Sequence, residues 1–269
     1  MMKKFLILFM LTLVSLVGMS QITLTKDTAF VDTTRGKGFF YKPKKKQSPF
    51  YGDFGLASTN LWRGVDVGKQ TGVVVDMEYE PCRWSTFGFK SYVVANQFRP
   101  GIGNQMITST KVNVYNVSLG IQDVYFQNQV LESDTDYFVF DKSKTNHFFE
   151  ATFNYKGDAN TRLDLFASCV FYQNQKYDRG AVYFQFTYHP TYNTEMFMGY
   201  VTGPSAVNFQ EKAGFTNVGL TIKRYIEFSS KFAAKARLTV SVNPNYKFIT
   251  IPNPGVSGRP VNTALTMIF

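Results

Sequence analysis

The sequence predicts an all-β fold: a membrane-spanning, antiparallel up-and-down β-barrel of about twelve strands with both ends on the periplasmic side. Three observations carry that reading. From Tyr51 onward, apolar and polar residues alternate with period two between turn-forming residues, the signature of consecutive half-buried strands. The connections between these runs alternate between short and long, the layout of bacterial outer-membrane barrels. Aromatic residues gather beside the short connections, where an interface girdle belongs. A soluble sandwich has no reason to sort its loops by parity, and its large aromatics belong in mid-strand.

Taken in order, the first twenty residues read as a secretory signal peptide. Lys3 and Lys4 form a basic start, Phe5 to Val17 an apolar run, and Gly18-Met19-Ser20 a small-residue cleavage site. The apolar run is too short for a comfortable membrane helix, and no cysteine follows it to carry a lipid anchor. No later stretch reaches the roughly eighteen apolar residues a spanning helix needs. A mature chain that enters a membrane must therefore do so as a closed barrel, where strand pairing satisfies every backbone group. Aromatic content of 17%, with 20 glycines and 16 tyrosines, suits strands and interface girdles better than helices.

The formal charge of +10 is concentrated in one place. Two of the cations leave with the signal, and residues 21–50 hold seven lysines and arginines against Asp27 and Asp32. The barrel region is left at only +3. Residues 21–50 accordingly read as a basic, poorly ordered periplasmic segment, with binding to anionic headgroups or peptidoglycan as the alternative. Neither the charge distribution nor any motif points to nucleic acid.

Twelve runs follow. The first covers Tyr51–Arg63, with a loop at 64–72. Val73–Glu80 sets Val73, Val75, Met77 and Tyr79 against Val74, Asp76, Glu78 and Glu80. After the turn at 81–83, Trp84–Ala95 sets Phe87, Phe89 and Val93 against Lys90 and Tyr92. Asn96–Lys111 reads as a long loop, Val112–Ile121 as a strand, and Asp123–Leu131 as a weaker strand after a turn near 122. The acidic loop 132–145 leads to Asn146–Tyr155, followed by Arg162–Tyr172, Ala181–His189 and Thr194–Thr202. Gly214–Ile226 and Phe232–Asn243 come next, the latter with the cleanest alternation. The closing strand, Arg259–Phe269, stops on an aromatic. A terminal Phe269 of this kind is expected at the periplasmic rim, as a signal to the barrel-assembly machinery. The inner girdle is expected from Tyr79, Trp84, Tyr155, Tyr188, Tyr192, Tyr225, Phe228 and Phe232.

Charged residues on the polar faces are Asp76, Glu78, Lys90, Glu150, Asp164, Lys223, Lys235 and Arg237. In a barrel they point into the lumen, because a lipid-facing charge near the midplane costs about 2–4 kcal/mol for Lys or Arg. Two arrangements are open: opposed patches that set a field across a water-filled pore, or salt bridges that fill a narrow one. Twelve strands fall between the filled eight-stranded and the open sixteen-stranded case.

Catalytic and metal chemistry have little material. Cys82 and Cys169 are too few for a disulfide framework, and with two histidines they do not make a metal site. No cofactor motif is present. Ser143, His147 and Glu150 could be written as a hydrolase constellation, though no motif surrounds them. His189, ahead of Pro190, reads as a strand cap.

The stretch Gly55-Leu56-Ala57-Ser58-Thr59-Asn60-Leu61-Trp62-Arg63-Gly64-Val65 resembles the aromatic-Arg-Gly-aliphatic element that opens TorF-like outer-membrane porins. The resemblance covers residues 51–95, and this chain has Val65-Asp66-Val67 where the family element has a more polar run. It implies a small barrel porin and singles out Trp62, Arg63 and Gly64, with Arg63 at the outer end of the first strand. The expectation from sequence is thus a passive channel in the cell outer membrane for small hydrophilic solutes or ions, with outer-membrane lipid as its surroundings. A non-conducting structural or docking barrel is the alternative.

Overall fold

The computed structural model describes residues 49–63, 65–67, 70–94, 104–127, 137–158, 161–174, 180–229, 232–248 and 259–269. The expected signal peptide, nearly all of the basic segment and Gly64 lie outside these residues. The strands are β1 (Phe50–Ala57), β2 (Leu61–Trp62), β3 (Val65–Asp66), β4 (Gly72–Cys82), β5 (Ser85–Val94), β6 (Asn104–Val114) and β7 (Val117–Gln127). They continue with β8 (His147–Tyr155), β9 (Leu163–Tyr172), β10 (Val182–Thr191), β11 (Thr194–Val201), β12 (Gly214–Ser229), β13 (Phe232–Val242) and β14 (Val261–Ile268).

Twelve of these form a closed antiparallel barrel in which each strand pairs with its neighbour in sequence and β1 pairs with β14. The remaining two, β2 and β3, form a separate small hairpin. Closure pairs the edges that an open sheet would expose. Short turns join β4 to β5, β6 to β7, β8 to β9, β10 to β11 and β12 to β13 at one end, and longer segments join the strands at the other.

Register fixes which face each residue shares. Asp53 stands opposite Asp76, Asp76 opposite Lys90, and Lys223 opposite Arg237, and all of these lie on the inner face. The alternate positions look outward. Phe54, Leu56, Leu119, Ile121, Phe186, Met196, Val218, Leu238, Val242 and Leu265 are all exposed there, making an apolar belt around the wall. Tyr79, Trp84, Tyr188, Tyr192 and Phe228 are exposed near the short turns. Tyr225 departs from the expected girdle, because it stands opposite Lys235 on the inner face. The side chain of Phe232 lies outside the described residues.

Two sequence readings are corrected. The run 96–111 is a loop only in part: Asn104–Lys111 belongs to β6, and the turn falls at Tyr115-Asn116 rather than near 122. The periodicity of β6 is weak because its outer face carries Thr108 and Thr110, while Ile107 faces inward against a buried apolar cluster. Tyr115 takes a positive φ of 53°, which two-residue hairpin turns demand of their first central residue. Tyrosine gives no sequence signal for that role. The second correction concerns the first strand, which ends at Ala57 instead of running to Arg63. Cys82 and Cys169 are both free.

The seam between β1 and β14 is the shortest ladder of the barrel. It comprises Gly55–Ile268, Leu56–Met267 and Ala57–Thr266, extended by Ser58 N–H to Leu265 O (2.8 Å) and Phe269 N–H to Phe54 O (2.8 Å). A Cβ on Gly55 would lie 2.3 Å from the Met267 carbonyl oxygen, so only glycine permits this approach. Gly55→Val is expected to abolish the compact, heat-modifiable species on gels run with and without boiling. Gly52→Val, where a Cβ meets nothing closer than 3.8 Å, should retain it.

Candidate functional site: a plugged lumen above a polar vestibule

The chain after Ala57 turns into the barrel. Leu61 pairs with Asp66 and Trp62 with Val65, while Val67 N–H bonds Asn60 O at 2.9 Å. The Thr59 hydroxyl donates to the Asp66 carboxylate and ties the hairpin's two arms together. Arg63 sits at the hairpin tip with φ of 47°, a conformation uncommon for a non-glycine residue.

A second segment meets the hairpin from the connection between β11 and β12. Ser205 and Gln210 exchange backbone hydrogen bonds of 2.8 and 2.9 Å around a tight turn that buries Val207 and Phe209. The Trp62 indole N–H donates to Val207 O at 2.8 Å. Val65, Val67, Val207 and Phe209 then pack against Val124, Phe126, Phe148 and Val170, which are inward-facing wall residues. The result is an apolar plug within the lumen toward the long-loop end. Each fully buried aliphatic or aromatic side chain in it contributes about 1.5–3 kcal/mol.

One ion pair crosses the interface between plug and wall. Arg63 Nη1 donates to Glu150 Oε1 (2.8 Å) and to Asn208 Oδ1 (2.7 Å), while Nη2 donates to Glu150 Oε2 (2.6 Å). Ser168 Oγ donates to Glu150 Oε1 at 3.0 Å, and Gln122 donates to Oε2. The guanidinium also lies 4.5 Å from the ring centroids of both Trp62 and Tyr183. The pair is nearly inaccessible, with side-chain exposures of 5% for Arg63 and 1% for Glu150. A buried charge pair survives desolvation only with good geometry and full hydrogen bonding. The bidentate contact, Asn208, Ser168 and Gln122 supply both.

Below the hairpin lie two cavities whose linings carry charged and polar side chains. One of about 220 Å³ is lined by Asp53, Asn60, Asp76, Lys90, Tyr92 and Arg237, among others. Another of about 440 Å³ is lined by Arg63, Asp164, Gln185, His189, Glu195 and Arg237, among others. Leu61, Arg237 and Thr239 border both, so the two cavities adjoin and together form the vestibule beneath the plug.

The charged residues singled out from sequence all take the inner face, and most of them are partnered there. Lys90 bonds Asp76 at 3.0 Å and Lys111 approaches Glu78 at 3.7 Å. His189 Nε2 lies 3.0 Å from Asp164 Oδ2, and Lys223 forms an ion pair with Glu195. His189 is therefore a hydrogen-bond partner of Asp164 in the lumen rather than a strand cap. Lys235 and Arg237 make no ion pair among the described residues. Sequence reasoning missed Asp53, Lys111 and Glu195. Lys111 fell in the supposed loop, and Glu195 in a run whose faces were unassigned.

Trp62 and Arg63, the residues of the family-like element, come together with Glu150, whereas Gly64 lies outside the described residues. Phe269 is on the outer face and takes part in the seam. Ser143, His147 and Glu150 do not converge. His147 and Glu150 are an odd number of residues apart in one strand, so they face opposite sides of the wall. His147 Nδ1 lies 2.8 Å from Asp123 Oδ2 and Nε2 lies 2.6 Å from Tyr137 O, under the rings of Tyr137 and Phe140. Ser143 bonds Asp141 through its N–H and hydroxyl, which together hold the Asp141 carboxyl below its ordinary range. Among the described residues, no group of three or more His, Cys, Asp and Glu side chains suits a metal ion.

Fold and site together define a closed twelve-stranded barrel with an apolar outer belt, an internal plug and a polar vestibule. Comparison with family models, with curated proteins and with solved structures gives no match.

Removing the Arg63 side chain leaves Glu150 buried and unpaired, so Arg63→Ala should weaken docking of the plug by about 3–5 kcal/mol. Val207→Cys, in a chain with Cys82 and Cys169 replaced by Ser, reports this docking. Its thiol labelling should rise at least a hundredfold on adding Arg63→Ala.

Proposed function

We propose that this chain is an outer-membrane channel for small hydrophilic solutes or ions, held closed by the hairpin within its lumen. The single observation that carries the reading is the polar vestibule beneath a plug that belongs to loops rather than to the wall. The twelve barrel strands are continuous without β2 and β3, so the plug can leave while the barrel stays closed. The exposed apolar belt suits lipid, since an apolar surface of this extent is rare on a soluble monomer. An inward-facing set of charged residues beside it repeats the in–out alternation of membrane barrels.

On this reading the outer-membrane bilayer surrounds the belt, the short turns face the periplasm, and insertion depends on the barrel-assembly machinery. Phe269, with its ring at the belt, is the residue proposed to serve that machinery. The likeness of Trp62, Arg63 and Gly64 to the TorF-like porin element agrees with a channel of this size. No chemical step is involved. The wall and the paired lumen charges set what passes once the hairpin moves, and the Arg63–Glu150 pair sets how often it does.

The depth of the apolar seal favours a second reading, a barrel that never conducts and serves a structural or docking role. Planar-bilayer recording separates the two. The intact protein should give rare openings or none. Replacement of residues 59–67 by a flexible Gly/Ser linker should give steady stepwise conductance. A correctly folded linker variant with no conductance would overturn the channel reading.

A further inference from the structure

The geometry points to an oxyanion-binding site in the vestibule, built around Arg237, that takes a small carboxylate or phosphate. Arg237 is the charged side chain that borders both cavities beneath the plug. Its Nε is buried and has no hydrogen-bond partner among the described residues. A guanidinium presents five donors and no acceptor, so what its buried edge lacks is an acceptor atom.

Of the carboxylates on the neighbouring wall, all but Asp53 are already partnered. Glu195 is held by Lys223, Asp76 by Lys90, and Asp164 by His189. Asp53 is the remaining carboxylate on this side, and it makes no ion pair with Arg237. Lys223 stands directly across the strand from Arg237, and Lys235 lies two residues along the same face. With Lys235 and Arg237 both unpaired against Asp53 alone, this sector of the vestibule carries a positive excess. In a lumen enclosed by low-dielectric protein such an excess draws anions.

Hydroxyls complete the pocket. Thr239 borders both cavities and lies 3.0 Å, oxygen to oxygen, from Thr221, while Thr266 stands opposite Arg237 in register. A planar carboxylate or a phosphate can take two parallel N–H bonds from the guanidinium fork and further bonds from these hydroxyls. The site rests on the channel reading in one respect: its ligand is taken to be a solute in transit. Arg237 is then a specificity-determining residue for what the channel accepts.

The test is calorimetric titration of the refolded full chain in detergent with inorganic phosphate and, separately, with succinate. Saturable binding of at least one anion is expected. Arg237→Gln should weaken it by about tenfold or more, the loss typical of a hydrogen bond to a charged group. Lys156→Gln, on an exposed turn, should leave it unchanged. Heat-modifiable migration checks that each variant is folded. If Arg237→Gln fails that check, Arg237→Lys keeps the charge but loses the fork, and it should bind more weakly than the intact protein. Absence of saturable binding to the folded intact chain, or binding that ignores Arg237, would overturn the site. Because binding is read without current, anion binding by a barrel that never conducts would sink the channel and leave the site. Conductance without Arg237-dependent binding would do the reverse.

Discussion

A twelve-stranded barrel has an interior too wide for the side chains of its own wall to fill, so the space must hold water, further chain, or both. That constraint organises this molecule. Toward the long-loop end the lumen is filled by chain, and the filling is apolar where it touches inward-facing Val124, Phe126, Phe148 and Val170. Beneath it the wall turns polar, and its charges pair between neighbouring strands or, for Lys111 and Glu78, across the strand between them. The boundary between these regimes is marked by Arg63 and Glu150. Together they bring a full charge from the hairpin and a full charge from the wall into a place water does not reach.

Such a pair is a poor source of net stability and a strong source of position. Its desolvation cost is comparable to its attraction, but separating the partners strands a buried charge. The hairpin is thus held in one arrangement, with Asn208 reporting on the adjoining loop and Ser168 and Gln122 on the wall. Apolar packing supplies the gain on docking, and the ion pair makes an offset or half-docked plug unfavourable. On the channel reading proposed above, a plug held in one arrangement in this way can act as a gate.

The barrel was readable from sequence because alternation, turn spacing and aromatic placement are each imposed by a wall that is apolar outside and polar inside. Where the inner face ceases to be polar, the signal fails. Ile107 faces the plug and Thr108 and Thr110 face outward, so β6 lacks the alternation that marks a strand in sequence. The hairpin is hidden for another reason: Ser58 and Asn60 break the alternation of Phe54 and Leu56, but Trp62 restores an apolar residue on the same parity, and no glycine or proline marks a turn between Ala57 and Trp62. Nothing local distinguishes a tryptophan facing lipid from one facing a plug. Glu150 was legible as an inward charge, but its partner was not, because their 87-residue separation in sequence is spanned only by the closed barrel. Arg237 could be placed on a face, while its unmet donor emerges only once the other lumen charges are paired.

A first strand continued to Arg63 would put Trp62 on the outer face with Phe54 and Leu56, whereas the hairpin puts it inside the lumen, and the chain has only two tryptophans. Fluorescence of a Trp84→Phe protein in vesicles of brominated lipid therefore tests the central claim directly. A plug within the lumen predicts a Trp62 signal that the bromine atoms leave unquenched and that soluble acrylamide reaches poorly. Strong quenching by the brominated lipid would put Trp62 on the lipid face and contradict the internal hairpin.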